Sequence, residues 1–177
     1  MLDRIIRRMD ATPRAVGTLA SGLTTDEARS KPPSGAWSIL EIVCHMVDEE
    51  TADFRPRLEL TLRDPGAPWP DLDPEAAAVK REYLSQDLPA KLQEFADERA
   101  KTIAWLRSLR SPNWQAAHVH PRFGPIRAGD LLCAWPAHDA LHIRQIAKRL
   151  YELAGREGET MSPATPFITR YAGDWGP

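Results

Sequence analysis

Apolar residues recur every three or four positions through four long segments of this chain, a spacing that lays them along one side of a helix and leaves little for strands. The first stripe is Leu2, Ile5, Ile6, Met9, Val16 and Leu19; it ends before Gly22, with a bend expected at Pro13, whose ring removes a backbone donor. The second helix starts at Ser38 and runs toward Leu62, with a kink expected at Pro56. The third carries Leu84, Leu88, Leu92, Phe95, Ile103 and Leu106, and the fourth spans about Ala128 to Leu153 and stops at Gly155. Strand alternation is weak and confined to residues 117 to 127, where Pro112, Pro121, Gly124 and Pro125 make the surrounding stretch a loop or a short hairpin. The pattern predicts an all-α fold, a four-helix bundle.

The entry to the second helix is the most legible local signal. Ser38 and Glu41 have the spacing of a capping box, and Trp37 before the cap can staple onto Ile42, which places His45 about two turns in. A proline-rich crossing from about 64 to 82 then precedes the third helix, long enough to join helices that are not neighbours. One domain over residues 1–177 is expected, with its core in about 1–153. The tail 156–177, with Phe167, Tyr171 and Trp175 between prolines and glycines, is expected to form an irregular strap or a dimer contact.

Bulk properties exclude several function classes. The formal charge is -2, and 23 Lys and Arg are interleaved with 25 acids, so there is no basic stripe for nucleic acid. The Arg4, Arg7 and Arg8 cluster reads as a solvated face. No apolar run reaches membrane-spanning length, and the charged amphipathic start is unlike a signal peptide, so a cytoplasmic protein is expected. Cys44 and Cys133 are not spaced as a disulfide scaffold or zinc ribbon; both are expected as small buried hydrophobes, with contact between Cys44 and the neighbouring His45 site as the alternative.

Chemistry gathers at three histidines. On the fourth helix the stripe reads Leu131, Trp135, His138, His142, Ile146, Arg149 or Leu150, and Leu153, so two imidazoles leave one face a turn apart, near enough to share one cation if His45 supplies a third nitrogen. Satisfied core histidines are the plainer alternative for the pair. Three neutral imidazoles suit zinc, nickel, iron or cobalt and leave a position for water or substrate. Asp48 and Glu49 follow His45 by three and four residues and Glu41 precedes it by one turn; any of them can orient an imidazole or act as a base, or belong to a solvated acidic face. Asp48 is the catalytic candidate among them. Asp139 and Gln145 flank the pair without facing it squarely, His118 and His120 read as surface or hairpin residues, Trp105 and Trp135 as core, and Arg144 as a surface or interhelical charge.

The string Gly35-Ala-Trp-Ser-Ile-Leu-Glu-Ile-Val-Cys-His45, followed much later by Asp130-Leu-Leu and His138-Asp-Ala-Leu-His142-Ile-Arg-Gln-Ile, resembles the DinB/YfiT-like family of metalloenzymes over roughly residues 1–153. The resemblance implies a four-helix bundle of DinB/YfiT type with a long crossover connection, commonly a homodimer. It also implies a divalent metal ion, zinc, nickel or iron, on His45, His138 and His142. It further implies a small-molecule substrate and one of the family's activities: transfer of a low-molecular-weight thiol of the bacillithiol or mycothiol type, which is the leading expectation, thiol-dependent isomerisation, or metal-dependent hydrolysis. A non-catalytic metal-binding dimeric bundle is the alternative from a different class.

Overall fold

Four of the helices start where a side chain satisfies their first amide groups. Ser38 Oγ accepts from Glu41 N–H at 3.2 Å while Ser38 N–H donates to Glu41 Oε2 at 2.8 Å, closing the expected capping box. Thr24 and Glu27 form a second box, and Asp73 and Asp87 cap two further helices. The computed structural model describes residues 1–161 together with residues 172, 173 and 175. Its helices are α1 (Leu2–Leu19), α2 (Thr25–Arg29), α3 (Ile39–Asp48), α4 (Phe54–Arg63), α5 (Pro74–Lys80), α6 (Leu88–Ser108) and α7 (Ala128–Met161). Strands β1 (Ala117–His120) and β2 (Gly124–Arg127) pair antiparallel as a small hairpin between α6 and α7.

The architecture is a four-helix bundle of α1, the α3–α4 rod, α6 and α7, with 69% helix and 5% strand among the described residues. α1 packs against α6 and α7, and the α3–α4 rod packs against the same two. The long crossing, which holds α5, therefore joins neighbours, whereas the connections 20–38 and 109–127 join helices that lie across the bundle from each other. No helix among the described residues is long and apolar enough to cross a membrane.

The core is two apolar clusters with a polar layer between them. One gathers Val16, the apolar residues of α3 between Ile39 and Val47, Phe95 and Ile146; the other gathers Ile5, Ile6, Met9, Leu58, Ile103, Leu106 and Trp135. Along every bundle helix the residues between these sets are polar and buried: Thr12, Glu49 and Glu50, Arg99 and Thr102, and Asp139 and His142. Burying charge costs several kcal/mol per ion unless it is paired, so a layer of this kind needs a reason in partners or in function.

Several sequence expectations change. The second bundle helix does not simply kink at Pro56: it opens into a π-turn over Glu49–Asp53, just upstream, where Phe54 N–H reaches back to the Glu49 carbonyl. Pro56 has no N–H for the Ala52 carbonyl and its ring crowds that oxygen, which favours a widened turn at this place. α7 passes through Gly155 and Gly158 to Met161, since a glycine costs a helix only about 1 kcal/mol and Leu153, Ala154, Arg156 and Glu157 beside them are helix formers. Leu84 is 39% exposed on a short 3₁₀ turn, Tyr83–Ser85, ahead of α6, because Asp87 and Pro89 start that helix later. Cys133 is exposed, whereas Cys44 is buried as expected. Of the tail aromatics, Phe167 and Tyr171 lie outside the described residues; Trp175 meets the Tyr151 ring at 5.6 Å.

Candidate metal centre

α3 and α7 bring three imidazoles to one point. Ring centroids are 4.5 Å apart for His138 and His142, 5.0 Å for His45 and His142, and 6.1 Å for His45 and His138. His142 Nε2 and His138 Nδ1 are 3.1 Å apart, close to the spacing of about 3.4 Å between two nitrogens that share a tetrahedral ion. His45 and His142 are buried; the His138 side chain keeps 36% exposure and so marks the side on which the cluster opens.

A carboxylate stands among the rings. Glu49 Oε1 lies 3.1 Å from His45 Nε2 and 3.2 Å from His142 Nε2, and also contacts His138 Nδ1. The ligand atoms of these four residues all fall within 4.8 Å of one another. Burial pushes the Glu49 carboxyl up, but hydrogen bonds from His138, His142 and His45 outweigh it and hold the group well below its ordinary value. The Glu49 hydrogen bond likewise raises His138 against the effect of burial. Gln145 Oε1 sits 2.8 Å from His142 Nδ1; the amide oxygen accepts from that nitrogen, which orients the ring with Nε2 toward the cluster.

Asp48, the catalytic candidate of the sequence, is not in the cluster. Its carboxylate pairs with Arg81 and accepts the Tyr83 hydroxyl, on the other side of α3. Glu41 is occupied by the capping box and by Lys31 Nζ at 2.9 Å. Cys44 Sγ points to the Tyr83 carbonyl, and burial pushes its thiol up to about 12, so it supplies no thiolate to the cluster. His118 stacks on Trp69 at 4.4 Å in the hairpin, away from the other three histidines. Asp53, which sequence reading passed over, sits on the π-turn within electrostatic reach of His45, His138 and Glu49; burial raises its carboxyl against the pull of Arg57. Phe54 stacks on Trp135 at 5.2 Å and meets the His138 ring at 5.6 Å, an apolar wall beside the open edge. Trp37 packs its ring on His45 at 4.8 Å.

Behind the cluster a second buried set ties all four bundle helices together. Arg99 donates from Nε to Glu50 Oε1 at 2.7 Å, from Nη1 and Nη2 to Asp139 at 2.6 and 2.8 Å, and from Nη1 to the Met9 carbonyl at 3.1 Å. That carbonyl is the one Pro13 leaves without its helical donor, so the guanidinium repairs the gap the proline makes. Thr102 donates to Glu50 Oε2 at 2.6 Å and Thr12 to Asp139 Oδ2 at 3.1 Å.

The histidine cluster fits a divalent cation on its own chemistry: three imidazole nitrogens and a carboxylate oxygen converge, while Glu49 Oε2 and His45 Nδ1 are buried without a hydrogen-bond partner among the described residues. A family model of the DinB superfamily matches residues 8–146. The chain belongs to the DinB superfamily. Among solved structures this superfamily member is similar to YfiT from Bacillus subtilis, described as a probable metal-dependent hydrolase with an unusual four-helix bundle topology: TM-score 0.77 at 18% identity, covering 86% of this chain and 87% of that one. At that identity the likeness establishes the fold alone. No curated protein matches the chain.

Proposed function

We propose that the chain is a divalent-metal-dependent hydrolase of a small molecule, with His45, His138 and His142 holding the ion. The observation that carries this reading is the convergence of His45 Nε2, His138 Nδ1 and His142 Nε2 at a place that opens to solvent past His138. The description of YfiT as a probable metal-dependent hydrolase supports the same class. A cation held there supplies Lewis acidity to the substrate. The chain's own residues do the rest. Gln145 orients the His142 ring, Phe54 and Trp135 keep water from one side, and Asp53 takes the proton of the attacking water at Oδ2, since Oδ1 is engaged by Arg57. Zinc, nickel and iron all suit the imidazole donors.

Transfer of a low-molecular-weight thiol is the second reading, and one observation bears on it. The buried Cys44 thiol and the exposed Cys133 leave no cysteine of the chain at the cluster, so such a reaction would draw its thiol from a small molecule. The homodimer implied by the family resemblance and the single domain expected from the chain's length belong to this proposal too; light scattering on the purified protein reads the first. A panel of esters, amides and soft electrophiles, assayed with and without small thiols on metal-loaded protein, separates the two chemistries. Thiol-independent hydrolysis that disappears in His142→Ala establishes the first; turnover only with thiol establishes the second. Under the first, Asp53→Asn lowers kcat by about 10²–10⁴ with metal content unchanged.

A further inference from the structure

The run from Asp48 to Asp53 carries four acids, and three of them have an arginine of their own. Asp48 pairs with Arg81, Glu50 with Arg99 at 2.6 Å, and Asp53 with Arg57 at 2.6 Å. Glu49 has none. It is 1% exposed and, among the described residues, its Oε1 touches only imidazoles and its buried Oε2 has no hydrogen-bond partner. A carboxylate buried this deeply is costly without a permanent cation, and the neighbours of Glu49 are imidazoles, the side chains that also serve as metal ligands. The π-turn that follows His45 holds the side chain there: Glu49 N–H donates to the His45 carbonyl and the Glu49 carbonyl accepts from Phe54 N–H, so the residue is fixed from both sides of the widened turn.

We propose that Glu49 is itself a metal ligand, making the centre three histidines and one carboxylate; this rests on the metal-dependent reading above. The consequence is a restriction on which ion can work. Four protein ligands close a tetrahedral site, the arrangement of structural zinc, whereas an ion that takes five or six ligands keeps room for substrate. An ion held by all four must therefore take a fifth ligand to admit substrate, and the anionic oxygen lowers the net charge of the centre by one relative to three histidines alone.

Cobalt(II) is the probe, because its visible bands report ligand number and type. Metal-free native protein, Glu49→Gln, Glu49→Asp and His142→Ala are titrated with cobalt(II), with circular dichroism confirming the helical content of each. The expected result is one tight site in the native protein, at least about tenfold weaker binding and a changed visible spectrum in Glu49→Gln, and partial recovery of both in Glu49→Asp, which keeps the charge on a shorter arm. His142→Ala loses the site. A Glu49→Gln protein that keeps native affinity and spectrum while His142→Ala loses binding overturns the carboxylate ligand and leaves the three-histidine reading standing. A native protein that binds no cobalt(II) overturns both. Should Glu49→Gln fail to fold, Glu49→Asp decides alone: an unchanged spectrum and affinity after the oxygen has been drawn back by one methylene count against ligation.

Discussion

Glu49 and Glu50 are adjacent in the chain, equally buried, and turned to opposite kinds of company. Glu50 enters a network in which each hydrogen-bonding group has found a partner: both its oxygens are engaged, Arg99 reaches two carboxylates and a carbonyl, and the two threonines close the ends. Glu49 enters one that is incomplete, with its own Oε2 and His45 Nδ1 left over. The two clusters occupy the same polar layer between the same apolar clusters. A buried network that satisfies itself fixes the packing of helices; one left unsatisfied is completed by something that is not protein.

The largest effect tests the satisfied side. Arg99→Met should cost about 3–5 kcal/mol in urea unfolding, because Glu50 and Asp139 would remain buried without their cation. His142→Ala on the other side should leave the metal-free fold much less affected while divalent-ion affinity drops by more than about 100-fold in calorimetric titration. Equal destabilisation by the two substitutions would erase the distinction between the clusters. A middle-sized effect belongs to Gln145→Leu, which removes the acceptor at His142 Nδ1; a loss of about 10–100-fold in metal affinity without change in unfolding is expected.

Glu50→Gln gives the smallest change and adds a pH signature. The amide keeps an oxygen for Arg99, so a shift within about 1 kcal/mol is expected near neutral pH. Burial raises the Glu50 carboxyl despite Arg99. For an acid raised in the folded state, the stability it lends is fully present below its unfolded value of about 4.3 and is lost as pH rises through the folded one. Unfolding measured from about pH 4 to about pH 7 should therefore show the Gln variant gaining on the native protein. A gap that moves the other way would mean the folded state favours the charged form.

What the sequence makes legible follows the range of the interaction. The Ser38 capping box depends on four consecutive residues, and the helical spacing of His138 and His142 on contacts one turn away, so both are visible in the chain itself. The choice between Asp48 and Glu49 is not. At about 100° per residue Glu49 falls about 40° from His45 on one side and Asp48 about 60° on the other, a difference too small to decide without knowing where α7 lies. Arg99 and Asp139 had a signal that apolar stripes hide: each sits four residues beyond a core aromatic, Phe95 and Trp135, at a position where the stripe calls for an apolar residue. A charged residue on a buried stripe implies a partner from another helix, and that partner is set by tertiary packing. The π-turn is the least legible element, since Pro56 disfavours a regular turn without dictating what replaces it.

The central claim is that one divalent cation sits among the side chains of α3 and α7. Crystals of metal-loaded protein, measured on either side of the ion's absorption edge, test it directly. The account predicts a single anomalous peak with His45 Nε2, His138 Nδ1 and His142 Nε2 each about 2.0–2.2 Å away. A stoichiometrically loaded crystal whose peak lies elsewhere, with the three imidazoles still in contact with Glu49 and no ion among them, would contradict it.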